Sequence, residues 1–489
     1  MNYNSTRNNR YLLFILIIIS GIIVRIYFQV GHIFSDDAYY SYLSYSLLKG
    51  EFAKEYLGYP VFSLRVAFLG LTSVSMKIFG TNEASTLLFP FIFSVINILL
   101  TYKIARLFTE NDKVALFAAF LIAFFPTDVI FSTIGFPDLI NVFFINLGIY
   151  FLLKSYMQKK IIWAYAGGIS FFISMQFKEN IYYTFILLIF LLVYFLLKQK
   201  QFIPQILIGL LFIAANFLIE GFAYLLLHNE FLYRITITNI NYNYSFYDFF
   251  PYTARKLSGS KNYFKNLFDQ IFFINAKSVF LRRFYLFLPL VSVVQTFFSF
   301  KKKNHKLLLF WFWGTSILLI VFTTSFTEYK PLDLTRSWYI YPLLMPMVIL
   351  SAMFIHRFSK LVRNGLLVIY LLGSLIMCFA YQNFFDVKNL DTLKSFLREN
   401  STKMIYTDHF TKYSVDLIRG YEADNSKRIM GKDFNFNLVN KGDWILFNNK
   451  HIEELEMQKY TFPDFSILNI NNFRKVAAFK DFIFYEKSD

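Results

Sequence analysis

The chain has a single cysteine, Cys378. That excludes an intrachain disulfide and a cysteine-based metal site. Because Cys378 lies inside an apolar run, its presence says nothing about compartment. Charge is scarce as well. Only 17% of residues are Asp, Glu, Lys or Arg, against about a quarter in soluble domains. There is no P-loop, no GxGxxG, no metalloprotease motif and no internal repeat, and His occurs only six times. Acids are fewer than bases, 32 against 49, for a net charge of +17. The bases sit between apolar runs rather than on one soluble face, so the excess does not point to nucleic acid.

What the chain has is apolar and aromatic: 56% hydrophobic residues, with 64 Phe and 34 Tyr. So many rings suit a lipid-facing surface with aromatic interfacial belts. Runs long enough to cross a bilayer fall at 11–30, 84–108, 114–132, 137–154, 161–178, 181–197, 203–227, 279–299, 306–324, 337–356 and 364–382. The first is too long for a typical signal-peptide core and lacks a small-residue cleavage site, so it reads as a retained span. A further run, 61–79, carries Arg65, Lys77, Thr72 and three serines. A charge at bilayer centre costs roughly 2.5–3.5 kcal/mol, which an interfacial helix largely avoids.

The distribution of positive charge decides the ambiguity. With 61–79 laid on the membrane, the segments holding Arg7 and Arg10, Lys103 to Lys113, Lys154 to Lys160, Lys198 and Lys200, Lys301 to Lys306, and Arg357 to Arg363 share one side. The positive-inside rule makes that side cytoplasmic. The expected architecture is a polytopic α-helical membrane protein with eleven spans, N-terminus in and C-terminus out. Its membrane part covers 1–384, with external loops at 31–83 and 228–278. A small extracytoplasmic α/β domain of ordinary size follows at 385–489. In that tail, acids and bases are about equal. Met404 to Thr407 and Trp444 to Phe447 read as strands, Leu390 to Leu397 and Tyr413 to Ile418 as amphipathic helices, and Lys475 to Tyr485 as two short strands about Lys480–Asp481.

Chemistry-bearing residues gather on the outer side. Asp36 and Asp37 stand just after the first span. Adjacent carboxylates near low dielectric raise the pKa of one of them, which suits a general base or one face of a divalent-cation site. The plain alternative is a helix N-cap. Asp138, after Pro137, opens a span on the same side, with Asp128 nearby. Ionisable groups at membrane depth point to function, and a dipole-matched helix start is the alternative. Lys178 and Glu179 occupy a short turn, Arg336 precedes the tenth span, Arg255 and Lys256 lie in the second loop, and Arg282 and Arg283 sit near the outer end of the eighth span. Outer-face cations suit a lipid phosphate; snorkelling side chains are the alternative. His32 and His228 read as incidental.

One span followed at once by Asp36-Asp37-Ala38-Tyr39-Tyr40, then "YSLLKGEF", "KIFG" and "TNEAS", resembles the polyprenyl-phosphate-sugar-dependent glycosyltransferases of the GT-C fold. That group includes protein O-mannosyltransferases and the aminoarabinose transferases of lipid A. "PDLINVFFINLGIYFLLK" and "RSWYIYPLLMP" resemble two further segments of these families. Two departures stand out. The acid pair is Asp-Asp rather than Asp-Glu, and Gly58-Tyr59-Pro60-Val61 replaces a Lys before a double Pro.

The resemblance implies a multi-pass plasma (inner) membrane enzyme. It would move a hexosyl or pentosyl unit from a polyprenyl phosphate to a lipid, glycan or protein acceptor outside the cytoplasm, with inversion. It implies Asp36 as base, with Asp37 and Asp138 orienting the acceptor. It implies Lys178 and Arg336 on the leaving phosphate, with Tyr39, Tyr40, Tyr339 and Arg255 also around the substrate. No cofactor is required by the resemblance, though a divalent cation on Asp36, Asp37 and Asp138 is compatible with it. Three other readings are weighed against this one. A transporter or flippase predicts inverted repeats, which the sequence lacks. A glycan polymerase or ligase sits less well with a soluble tail. An oligosaccharyltransferase would be expected to carry a larger soluble domain.

Overall fold

Apolar runs of this length bury their backbone hydrogen bonds only as helices, and helices dominate. The computed structural model describes residues 2–51, 60–179, 181–198, 202–241, 279–299, 305–321, 337–421, 430, 434–449 and 473–488. Its helices, in order, are α1 (Asn2–Tyr27), α2 (Asp36–Leu48), α3 (Val66–Phe79), α4 (Glu83–Thr109), α5 (Asp112–Ala123), α6 (Pro126–Phe131), α7 (Asp138–Gln158), α8 (Ile162–Met175), α9 (Ile181–Lys198), α10 (Ile203–His228) and α11 (Tyr233–Asn241). They continue as α12 (Val279–Ser299), α13 (His305–Val321), α14 (Tyr341–His356), α15 (Lys360–Phe384), α16 (Val387–Glu399) and α17 (His409–Ile418).

Each expected span is helical, with one correction of form. The run 114–132 is not one helix: α5 ends at Ala123 and α6 restarts at Pro126. Proline lacks the amide that continues a helix but fits its first turn, so Pro126 ends one element and opens the next. By length and composition, α4, α7, α10, α15 and the Asn9–Tyr27 part of α1 could each cross a membrane. Shorter apolar stretches include α3, α8, α13, α14 and the Phe287–Ser299 part of α12; α8, with 14 residues, spans about 21 Å at 1.5 Å per residue. Segment 61–79 divides into a 3-10 turn, Pro60–Leu64, and α3. Arg65 between them is buried and tied to Glu179, which resolves the charge in that run.

Local sequence sets the helix ends. Asn82 and Ser85 form a reciprocal capping box at the start of α4, the arrangement that satisfies its free amides. Asn111 caps α5 through the amides of Lys113 and Val114. α7 and α8 pack closely because Gly148 faces Phe171, where any side chain would overlap the ring. Small residues serve this purpose between membrane helices.

Charges sort to the two ends of the bundle. At one end Arg10 and Arg106 bind Asp112 at 2.8 and 3.0 Å, Asn111 contacts His356, and Arg363 lies over Phe117. At the other end α2 and α3 meet the C-terminal region.

That region carries β1 (Ile405–Tyr406), β2 (Trp444–Asn448), β3 (Phe473–Phe479) and β4 (Phe482–Lys487) in the order β1-β2-β4-β3. β1 pairs parallel to β2 and the remaining pairs are antiparallel. The expected turn at Lys480–Asp481 joins β3 to β4. Leu390, Leu393 and Leu397 of α16 pack on Leu446 and Phe484. Phe34, from the first loop, belongs to this same core.

Candidate active site at the end of the bundle that meets the C-terminal region

The loop after α1 is pinned before it reaches the acids. Val30 and Gly31 donate their amides to the Thr133 hydroxyl and carbonyl, at 3.1 and 3.0 Å. Gly31 has φ +79 and lies against the Glu83 carboxylate, so the position needs glycine twice over. Glu83 accepts from the His32 amide and from Lys394 of α16, both at 2.6 Å. Phe34 has φ 56. That conformation costs a side-chain-bearing residue roughly 1–2 kcal/mol. Its ring, 5.0 Å from that of Phe482, holds it there.

The two acids differ in their surroundings. Asp37 is 1% exposed. Its Oδ1 accepts from the amides of Ser35 (2.8 Å) and Ala38 (3.1 Å), and its Oδ2 from the amide of Ile33 (2.6 Å) and from His32 Nδ1 (2.9 Å). Four donors fill the acceptor sites of a carboxylate. Burial alone would raise the Asp37 pKa; the His32 ring and the Ile33 and Ser35 amides outweigh it and hold the carboxyl below its ordinary value. Asp36, at the first position of α2, is half-buried.

The α6–α7 turn adjoins this loop closely enough that a side chain at Gly135 would touch Asp37 and Thr86. Asp138 opens α7 just beyond and binds Lys178 Nζ at 2.6 Å, with both residues largely buried. The turn that carries Lys178 is fixed by Asn141, whose amide nitrogen donates to the carbonyls of Ser174 and Lys178 at 2.8 and 2.9 Å. Asp138 and Lys178 thus form one neutral pair.

Glu179 joins a second cluster. It lies 3.6 Å from Arg65 and 3.2 Å from Arg234 of α11. Arg234 also binds Glu220 through two nitrogens and donates to the Leu64 carbonyl at 2.8 Å. Burial pushes the Glu179 pKa up, but Arg65 and then Arg234 bring it below its usual value. The cluster ties α10 and α11 to the 3-10 turn of the first loop.

Tyr39 and Tyr40 are core residues, 1% and 2% exposed. Tyr39 stacks on Phe62, and Tyr40 lies under the Arg65 guanidinium; a full aromatic ring contributes most when buried. Tyr339 is half-buried against Tyr183, Leu319 and Leu343. Arg336, Arg255 and Lys256 lie outside the described residues, as do the side chains of Arg282 and Arg283. His228 stacks on Tyr233 at 3.9 Å.

Asp128 is a structural acid: with 0% exposure it binds Arg25 of α1 at 2.5 Å and accepts from Ser94. Sequence reasoning passed over Arg25, although a cation within a long apolar run is itself a signal. His32 reads as incidental in the sequence. Far from incidental, His32 bridges Asp37 and Ser414 of α17, at 2.9 Å on each side.

Among the described residues, no group of three His, Cys, Asp or Glu side chains could hold an ion. The lone pairs of Asp37 are spent on four donors, and Asp138 is neutralised by Lys178.

Residues 67–219 match the family model described as dolichyl-phosphate-mannose-protein mannosyltransferase. No curated protein sequence matches the chain. The structure of ArnT from Cupriavidus metallidurans bound to undecaprenyl phosphate superposes with TM-score 0.63 at 12% identity, covering 97% of this chain and 97% of that one. The oligosaccharyltransferase of Archaeoglobus fulgidus in the apo form superposes with TM-score 0.52 at 12% identity, covering 88% of this chain but only 62% of that one. The same enzyme in complex with zinc and sulfate gives TM-score 0.56 at 12% identity, over 96% and 73%. The chain has the GT-C fold, a polytopic helical bundle with a small C-terminal sheet, and it resembles the protein O-mannosyltransferases and the aminoarabinose transferases.

Proposed function

We propose that this protein is an inverting glycosyltransferase that takes a sugar from a polyprenyl-phosphate carrier and passes it to an acceptor on the outer side of the membrane. The observation that carries the proposal is the unequal acid pair at one end of a GT-C bundle. Asp37 is consumed by four donors, while Asp36 beside it is half-buried at the start of α2. Asp36 is the base. Its carboxylate takes the proton of the acceptor hydroxyl as that oxygen bonds to the anomeric carbon. The bond from that carbon to the phosphate oxygen breaks, and its electron pair leaves on the polyprenyl phosphate. Attack opposite the leaving group inverts the centre.

Charge grows on the leaving phosphate, and preorganised cations are most effective where charge develops. Lys178 supplies one, held in place by Asp138. Arg336 and Arg255 are further candidates. Residues 1–384 form the catalytic membrane domain and 385–489 a domain on the outer side. The N-terminus is cytoplasmic, in keeping with the basic residues gathered at the opposite end. The transferred unit is a hexose or pentose. A lipid-linked donor enters sideways from the bilayer, which agrees with the lack of a nucleotide-binding motif. In one relative of the same fold, ArnT, undecaprenyl phosphate is the bound molecule.

The test uses the full-length protein in proteoliposomes with labelled polyprenyl-phosphate sugars and nucleotide sugars. The proposal expects consumption of the lipid-linked donor alone, with an inverted product. Use of the nucleotide sugar, or movement of intact donor across sealed vesicles without bond cleavage, would refute it.

A further inference from the structure

We propose that His32 is a positioning residue through which the C-terminal domain holds the Asp36–Asp37 segment in working geometry. The inference rests on the reading of Asp36 as base. Three contacts cross from residues 31–37 and their anchor into the C-terminal domain. The Phe34 ring enters its core beside Phe482. Glu83, which accepts the His32 amide, binds Lys394. The His32 ring spans the remaining gap, with Nδ1 on Asp37 and Nε2 on Ser414.

Both ends of that bridge are closed to solvent, with His32 1% and Ser414 0% exposed. Asp37 accepts only, so Nδ1 carries a proton and donates to it. Nε2 then accepts the Ser414 hydroxyl proton or, in the charged ring, donates to Ser414 Oγ. In either state the ring joins α17 to the carboxylate that organises the first turn of α2. Asp36 is the adjacent residue on that turn, so a shift of the Asp37 knot turns Asp36 with it. Phe34 sharpens the argument. A bulky residue keeps a left-handed backbone only where its surroundings over-determine it, and here those surroundings belong to the C-terminal domain. The domain is therefore part of the catalytic geometry rather than a cover over it.

The experiment uses the full-length protein and compares Ser414→Ala, Ser414→Thr, His32→Asn, His32→Gln and Phe34→Leu with Asp36→Asn. For each, kcat and KM for a polyprenyl-phosphate sugar are measured, together with hydrogen exchange at the amides of Ile33, Ser35 and Ala38 and the melting midpoint. His32→Asn keeps a donor near Asp37 but cannot reach Ser414; His32→Gln does the reverse. Small misplacements of a reacting group cost up to about 10²-fold. Ser414→Ala and both His32 variants should therefore lose about 10-fold or more in kcat, with KM for the donor within about twofold of wild type and faster exchange at the three amides. Ser414→Thr should restore kcat.

Wild-type kcat in Ser414→Ala and both His32 variants, with Asp36→Asn inactive, overturns the latch and leaves the base intact. A drop in melting midpoint with unchanged kcat per folded enzyme also overturns it. If Asp36→Asn turns over normally, the reading of the base fails instead, and exchange alone judges the latch: unchanged protection in Ser414→Ala then overturns it.

Discussion

Among the acids at or near the end of the bundle that meets the C-terminal region, Asp128 is the one whose surroundings make the firmest numerical prediction. Its partner Arg25 is 0% exposed and donates to the Ser94 hydroxyl at 2.7 Å, to the carbonyls of Gly21 and Ala123 at 2.9 and 2.8 Å, and to Asp128 at 2.5 Å. Asp128→Asn keeps the shape but removes the only countercharge among these partners. Breaking one side of a buried pair costs about 3–5 kcal/mol, because the remaining charge is left in low dielectric. Removing both, as in Arg25→Met with Asp128→Leu, should recover most of that loss, since apolar replacements of a buried pair are often neutral or better. Denaturant unfolding in mild detergent, read on wild type, both single variants and the double, gives the coupling directly. Transfer activity per folded molecule should stay close to wild type throughout. An Asp128→Asn variant as stable as wild type would show that the carboxyl is carried neutral and that the ion-pair account is wrong. A fully stable but inactive Asp128→Asn would move Asp128 into the chemistry.

Other perturbations separate the remaining roles. Lys178→Met should lower kcat by about 10²-fold or more if it neutralises the leaving phosphate, and Asp138→Asn should lower it less; equal activity in Lys178→Met and wild type would remove Lys178 from the transition state. Transfer should persist after EDTA treatment, because Asp37 and Asp138 are already engaged by donors; loss on chelation and recovery with a divalent ion would contradict this. In the C-terminal sheet, Arg474 and Lys403 hold the Glu486 pKa at about 2. A depressed carboxyl stabilises the fold fully above its unfolded value of about 4.3 and loses that contribution as pH falls toward 2. Melting midpoints of Glu486→Gln and wild type should therefore differ at pH 6 and converge near pH 2; a constant gap would refute the clamp. A reporter fused after Lys301 should read cytoplasmic, and an external signal would reverse the topology.

Much of the helical layout was legible because a bilayer-length apolar run has few other ways to satisfy its backbone. The exception, 114–132, broke at Pro126, a residue whose effect on the chain is local and could have been weighed. The short elements of the tail were legible too: β2 falls on a short apolar run and α16 on an amphipathic pattern. The site was only half readable. Asp36, Asp37, Asp138 and Lys178 attract notice as charges beside apolar runs. Their differences do not, because they depend on partners far away in sequence. Asp37 is spent on local amides and His32, Asp138 on Lys178 forty residues on, and Asp128 on Arg25. The bridge from His32 to Ser414 closes a separation of 382 residues, and no local pattern encodes it. Tyr39 and Tyr40, which the resemblance puts around the substrate, have rings buried in the core beneath α2.

The central claim is that Asp36 is the base for transfer from a polyprenyl-phosphate sugar. Single-turnover transfer by Asp36→Asn, with donor binding measured on the same preparation, tests it most directly. The account predicts donor affinity near that of wild type and a transfer rate lower by about 10²-fold or more, the usual contribution of a general base. A wild-type transfer rate in Asp36→Asn would contradict it.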